Sequence, residues 1–342
     1  MGTEDSNRSF QERQDWLSLG LMNVSAPRLL VDLGGTNVRC ALQRAAGPAE
    51  QVVKMKVAEH TGLAAALAAY LDTAEGPRPA SAAVAVAAPV TGDKVELTNA
   101  SWAFSRKGLR DELQLEPLHI VNDFTAIAMG LPDLGGEHLL AVGGGKAVAG
   151  APMGVLGPGT GLGVSGLLPV GDRWLALAGE GGHVTLPATD EREAGIIALL
   201  RGEEGHVSAE RLISGSGLVN LYQALCMLSG VPAPELKPDE ISHRASGGDP
   251  LAHDAVTLFF SFLGTVAGNL ALTLGAFGGI YIAGGIAPRL KDVFVASPFR
   301  AKFEAKGRYS DYMADIPTWL VLDDVPAFRG LAAILDGHRY EG

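Results

Sequence analysis

Two glycine-threonine turns, each entered from an apolar run, constrain this chain more than any other feature. The first is Leu29-Leu30-Val31-Asp32-Leu33-Gly34-Gly35-Thr36-Asn37, and the second, far downstream, is Val155-Leu156-Gly157-Pro158-Gly159-Thr160-Gly161-Leu162-Gly163. Each leaves through a second β-prone stretch. Taken singly, such a turn is a tight hairpin. Glycines also let backbone N–H groups approach an anion closely, and a threonine hydroxyl adds one more donor. Two such turns in one chain predict two phosphate-gripping hairpins on two similar halves.

The length of 342 residues suffices for two domains with substantial cores. The chain is 47% hydrophobic, holds 45 glycines and is only 6% aromatic, which suits tightly packed helix–sheet layers of an α/β protein. A formal net charge of −11 argues against a nucleic-acid surface, which needs phosphate-neutralising Lys and Arg. An anionic nucleotide must therefore be held locally, by backbone amides, helix N-termini and a metal ion. Cys40 and Cys226 both lie in apolar stretches and read as buried free thiols of a reducing cytosol.

Residues 1–25 are polar and mixed in charge, without the apolar core of a secretory signal, and read as a flexible leader. Residues 255–286 carry no charge and are long enough to cross a bilayer. Asn269 and several glycines interrupt them, so the expectation is a buried helix ending near Leu274 and a short strand over 279–283, with no membrane span.

Strands are expected at 29–32 and 38–42 around the first turn, and again at 51–57. An alanine-rich helix follows over 61–72, then a strand at 82–88, apolar on both faces as a central strand is. Pro89-Val90-Thr91-Gly92-Asp93 turns the chain into 94–97, and a strand at 119–121 runs into a helix at Asn122-Asp123. The plan restarts with 153–156 and 164–168 around the second turn and a third strand at 174–178. Residues 325–338 have a helical pattern. The expected organisation is a leader over 1–25, a small α/β domain over 26–133 and a large α/β domain over 134–324. A C-terminal helix over 325–340 is expected to pack back on the small domain. Such a diverged duplication leaves a central cleft between two lobes, over which a hinge closes.

Only the first turn carries an acid. Asp32 precedes Gly35-Thr36 by three residues, where the second turn has Leu156. Mg²⁺ takes one or two carboxylates plus phosphate oxygens and waters, so Asp32 is a candidate to hold it, directly or through water. The plain alternative is an aspartate capping a hairpin. Asp123 opens a helix at a strand's end, where a carboxylate can accept a proton from a substrate hydroxyl. It equally suits an ordinary N-cap.

Glu180 and His183 lie three apart in a glycine-rich turn, with Glu210 downstream. They read as a hydroxyl-reading polar cluster, an exposed turn, or an incomplete metal set. Gly284-Gly285 closes the last strand without side chains and can admit an adenine ring or simply turn the chain. Asn99, beside Trp102 and Phe104, is a pocket candidate.

In this order the motifs closely resemble those of the ATP-dependent, non-zinc glucokinases of bacteria. The resemblance runs from about Arg28 to Leu335. It rests on Asp32-Leu33-Gly34-Gly35-Thr36-Asn37, Pro89-Val90-Thr91-Gly92-Asp93, Leu97-Thr98-Asn99-Ala100-Ser101-Trp102 and Asn122-Asp123-Phe124-Thr125-Ala126. It continues through Gly159-Thr160-Gly161-Leu162-Gly163, Gly179-Glu180-Gly181-Gly182-His183, His206-Val207-Ser208-Ala209-Glu210-Arg211, Gly217-Leu218-Val219-Asn220 and Ala283-Gly284-Gly285.

The resemblance implies a duplicated α/β fold of the actin-like ATPase (ribonuclease H-like) kind and phosphorylation of D-glucose by ATP with Mg²⁺. It implies Asp123 as catalytic base and Asn122, Glu180, His183, Glu210 and, more weakly, Asn99 as glucose-binding residues. Gly34, Gly35, Thr36 and Asn37 match the first phosphate motif, Gly159, Thr160 and Gly161 the second, Gly284 and Gly285 the adenosine motif, and Asp32 the Mg²⁺-linked acid. A cytoplasmic homodimer is implied as well. Two departures stand out: the leader lacks a family counterpart, and Pro158 stiffens the second turn without removing the amides of its neighbours. A kinase for another hexose and a non-catalytic sugar sensor remain as alternatives, and polyphosphate or ADP as other donors.

Overall fold

The computed structural model describes residues 26–44, 47–98 and 101–337; the leader, the last three residues of the expected C-terminal helix and Asn99 lie outside the described residues. The chain forms two compact units, dividing between Val121 and Asn122.

In the first unit a five-stranded sheet follows the order β3-β2-β1-β4-β7. Its strands are β1 (Arg28–Leu33), β2 (Asn37–Gln43), β3 (Ala49–Lys56), β4 (Ser81–Val86) and β7 (Leu118–Asn122), while β5 (Lys94–Glu96) and β6 (Ala103–Ser105) pair separately. β1 runs antiparallel to β2, with Leu33 opposite Val38, and parallel to β4, with Val31 opposite Val84. The alanine-valine run of β4, an interior strand between β1 and β7, is buried on both faces except at its first residue. Edge strand β3 instead leaves Val52 and Val53 exposed. Helix α1 (Leu63–Thr73) buries Leu63, Ala66, Leu67, Tyr70 and Leu71. Helix α2 (Arg106–Leu113) starts at Ser105, whose Oγ accepts from the Gly108 N–H at 3.0 Å.

The second unit repeats this plan. Its six-stranded sheet has the order β11-β10-β9-β12-β13-β8. The strands are β8 (Leu139–Ala141), β9 (Met153–Pro158), β10 (Leu162–Val170), β11 (Arg173–Leu177), β12 (Gly279–Ile282) and β13 (Thr318–Val321). β9 and β10 form an antiparallel hairpin, β11 adds antiparallel to β10, and β12 lies parallel beside β9. Those pairings match β1–β2, β2–β3 and β1–β4 one for one. The duplication expected from the paired turns is thus present in the strand order and in the sense of each pairing.

Helices α3 (Asp123–Gly130), α4 (Glu191–Glu204), α5 (Gly215–Leu228), α6 (Pro238–Ser246), α7 (Pro250–Leu274), α8 (Ile286–Arg289), α9 (Lys291–Ala296), α10 (Phe299–Glu304), α11 (Ser310–Ala314) and α12 (Pro326–Leu335) complete it. The charge-free stretch resolves into α7 and β12, as its glycines predicted. α7 begins with Pro250 behind an Asp249 cap, whose Oδ1 accepts from Leu251 N–H at 3.0 Å and Ala252 N–H at 3.1 Å. It ends at Gly275, which takes the left-handed conformation at φ 60°. By length and composition α7 could cross a membrane, but 78% of its most apolar window is buried within the protein. Its rings join a chain through Phe259, Phe260, Phe294 and Phe299, with centroids 5.3, 5.0 and 4.7 Å apart in turn. Such ring pairs contribute about 0.5–1.5 kcal/mol each beyond area burial.

α12 packs along α3. Both helices belong to the second unit, which runs from Asn122. The physical reason is close approach. A Cβ on Gly130 would meet the Gly330 nitrogen at 2.9 Å, and one on Gly330 would overlap the Ala126 carbonyl. Only glycine at these points lets the two helix backbones touch.

Candidate active site

The first glycine turn joins β1 to β2 in the first unit. Gly34 donates its N–H to the Asn37 carbonyl at 3.0 Å, and Gly35, Thr36 and Asn37 are at least partly accessible. Asp32 projects near the end of β1, opposite Arg39 of β2 in the sheet register. Arg39 Nη1 donates to Asp32 Oδ2 at 2.8 Å, and the carboxylate keeps 20% of its side-chain surface exposed. Asp32 therefore ion-pairs across the hairpin and does not cap it. Arg39 went unremarked in the sequence, although its place seven residues after Asp32 in a two-strand hairpin is the signal that pairs them. Behind this pair the Cys40 thiol is pushed up to about 12 by burial, with the Asp32 charge adding to the shift.

The second glycine turn joins β9 to β10 in the second unit, and most of the remaining candidates gather around it. Gly159 donates its N–H to the Gly161 carbonyl at 2.8 Å, and its own carbonyl accepts from the Gly215 N–H at 2.9 Å. The loop tip is thereby tied to the N-terminus of α5, while Thr160 is exposed. Glu210 Oε2 accepts from the Leu162 N–H at 2.7 Å, and a Cβ on Gly161 would overlap that carboxylate. Gly161 is glycine because Glu210 occupies the space beside it.

The Glu180–His183 turn packs on β10 from the next element. A Cβ on Gly181 would lie 2.8 Å from Val164 Cγ1, and one on Gly182 would overlap the Leu162 carbonyl. The Gly182 carbonyl accepts from the Glu210 N–H at 2.8 Å, and the Glu180 carbonyl accepts from the His183 N–H at 3.0 Å. Glu180 and His183 themselves are exposed, and Glu210 is half-buried. Among the described residues no three His, Cys, Asp or Glu side chains gather as a metal set. Gly284, at φ 78°, backs onto the same hairpin: its Cβ would lie 2.5 Å from the Pro158 carbonyl oxygen. Gly285, exposed beside it, begins α8.

Asn122 and Asp123 open α3, and the cap belongs to Asn122. Its Oδ1 accepts from the N–H groups of Phe124 at 2.9 Å and Thr125 at 3.2 Å. The plain alternative for Asp123, an ordinary N-cap, falls to its neighbour; Asp123 is the first helical residue, partly exposed, with Oδ1 accepting from the Phe124 N–H at 2.9 Å. A carboxylate in the first turn also sits at the positive end of the helix dipole.

The second unit thus brings together Asn122, Asp123, Gly159, Thr160, Gly161, Glu180, His183, Glu210, Gly284 and Gly285. Asp32, Gly34, Gly35, Thr36 and Asn37 belong to the first unit. A duplicated α/β fold with a glycine hairpin in each half and an acid opening a helix defines a sugar kinase of the actin-like ATPase fold. A family model described as Glucokinase matches residues 29–338. The chain belongs to the glucokinase family.

A glucokinase from Paramagnetospirillum magneticum is 51% identical over 90% of this chain and 97% of its own. The chain also matches bifunctional proteins, of whose length it spans 49%. The crystal structure of a glucokinase from an Antarctic psychrotroph is 34% identical, with a TM-score of 0.84 over 91% of this chain and 99% of that one. The structure of a glucokinase from Balamuthia mandrillaris in complex with glucose has a TM-score of 0.75 over 96% and 98% of the two chains; at 24% identity it bears on the fold alone.

Proposed function

We propose that this chain transfers the γ-phosphoryl group of ATP to the 6-hydroxyl of D-glucose, giving ADP and glucose 6-phosphate. The observation that supports this most is the gathering of Asp123, the Gly159–Thr160–Gly161 loop, the Glu180–His183 turn and Glu210 about one hairpin of the second unit. Here Asp123 takes the proton from O6 as the γ-phosphoryl group arrives in line. Asn122, Glu180, His183 and Glu210 hydrogen-bond the sugar's hydroxyls, with Asn99 a further candidate. Acceptors and donors are both needed, because a sugar hydroxyl left unpaired once bound sugar and nucleotide exclude water costs about 1–3 kcal/mol.

Amides of Gly35 and Gly161, with the hydroxyls of Thr36 and Thr160 and the Asn37 side chain, hold the phosphates, while the Gly34 and Gly159 N–H groups close their own turns; Gly284-Gly285 meets the adenosine. A single, partly exposed carboxylate such as Asp32 fits Mg²⁺, which keeps several waters and takes few protein ligands. When bound, the ion neutralises phosphate charge. The proposal extends to a cytoplasmic homodimer on the family resemblance.

The test is an ADP-release and product assay crossing ATP, ADP and polyphosphate with glucose, mannose, fructose and an N-acetylated hexosamine. ATP with glucose is expected to give the highest kcat/KM. A higher value for another sugar would replace the acceptor, and no turnover with any pair would favour a sensor.

A further inference from the structure

Phe124 stands between the two parts of the second unit that the reaction must synchronise. Its backbone N–H donates to Asp123 Oδ1 and to Asn122 Oδ1, both at 2.9 Å, so it holds the proposed base and the helix cap together. Its ring lies against the β9–β10 hairpin. Gly157 and Gly163 are direct register partners there, and the ring covers both. A Cβ on Gly157 would fall 2.7 Å from Phe124 Cε1, and one on Gly163 would overlap the ring's edge. The ring fills the space that two cross-strand side chains would occupy, as an aromatic side chain does over paired strand glycines.

We propose that Phe124 is a positioning residue that couples the seating of ATP's phosphates on the β9–β10 loop to the placement of the Asp123 carboxylate. The inference rests on the proposed roles of that loop and of Asp123. The physical reason is stiffness. An aromatic ring has few rotatable bonds, and packed interiors transmit small shifts because they have no slack. When phosphate oxygens take the loop's N–H groups, the strands that carry Gly157 and Gly163 adjust, and the ring adjusts with them. The turn from Asn122 to Phe124 follows, since Phe124's own N–H bonds the carboxylate. A base set wrongly by about 1 Å loses roughly a hundredfold in rate. The paired glycines then have a use beyond phosphate approach: they make the seat for this ring.

Three measurements test it together. In Phe124→Leu, kcat is expected to fall roughly tenfold to a hundredfold, with glucose KM changed less than about twofold; Phe124→Tyr restores most of kcat. Hydrogen exchange of the wild-type protein with a non-hydrolysable ATP analogue is expected to slow amides in both 157–163 and 122–126. In Phe124→Leu the slowing stays within 157–163. Wild-type protection confined to 157–163 overturns the proposal whether or not the variants fold, and so does a Phe124→Leu enzyme with unchanged kcat. Asp123→Asn, assayed beside them, keeps the two readings apart. If it retains full turnover the base assignment fails, whereas an inactive Asp123→Asn beside a fully active Phe124→Leu defeats only the coupling.

Discussion

Gly161 and Glu210 lie 49 positions apart in sequence, yet the space beside the glycine belongs to the carboxylate. Gly161→Ala should therefore push Glu210 off the Leu162 N–H and raise glucose KM roughly tenfold, the cost of one misplaced, half-buried hydrogen-bonding group. Steady-state kinetics with varied glucose checks this; an unchanged KM would remove Glu210 from the sugar site. Cys40 offers a second check, on stability. Its thiol ionises near 9.0 when unperturbed and at about 12 in the fold, so folding excludes the thiolate. The stability it contributes is whole below pH 9 and is lost as pH rises towards 12, at up to about 1.4 kcal/mol per pH unit. Denaturation midpoints from pH 8 to 11 should fall more steeply for wild type than for Cys40→Ala. Equal slopes would contradict the burial argument. At this scale the sequence disclosed residue types and their neighbours only. The cap of α3 is Asn122 and not its neighbour Asp123, a choice that depends on local φ and ψ that either residue accepts. The Asp32–Arg39 pair followed from hairpin register and was legible in principle.

Among elements, the crossing of α3 with α12 bears most on the proposed chemistry, since α3 carries Asp123 on its first turn. Gly330→Ala places a methyl group into the Ala126 carbonyl, and relieving that overlap must separate the helices. A stability loss of about 1–3 kcal/mol is expected, measured by denaturant unfolding. A variant as stable as wild type would mean that the helices do not need this approach. The long apolar elements were the most legible. Residues 82–88, 153–156 and 164–168 fall in or overlap β4, β9 and β10, because short, largely apolar runs bounded by turn residues suit strands buried in a sheet. β6, β8 and β13 were not foreseen; they have only three or four residues each and gain their order from neighbours distant in sequence. The ring of Phe124 over Gly157 and Gly163 was hidden for the same reason.

For the molecule as a whole, the duplication was readable from two turns and is repeated in the strand order of both sheets. Its net charge of −11 repels an anionic nucleotide at long range, so salt should help association until screening is complete. KM for ATP is expected to fall as ionic strength rises from about 10 mM to about 150 mM at fixed free Mg²⁺, across which the Debye length shrinks from about 30 Å to about 8 Å. A KM that rises steeply instead would indicate that local cations dominate. Asp123, the first residue of α3 in the second unit, is the proposed base for O6. Its most direct test is Asp123→Asn, with turnover followed by glucose 6-phosphate formation and glucose affinity by calorimetry. Turnover should nearly vanish while glucose affinity changes little; an Asp123→Asn enzyme with wild-type turnover would contradict it.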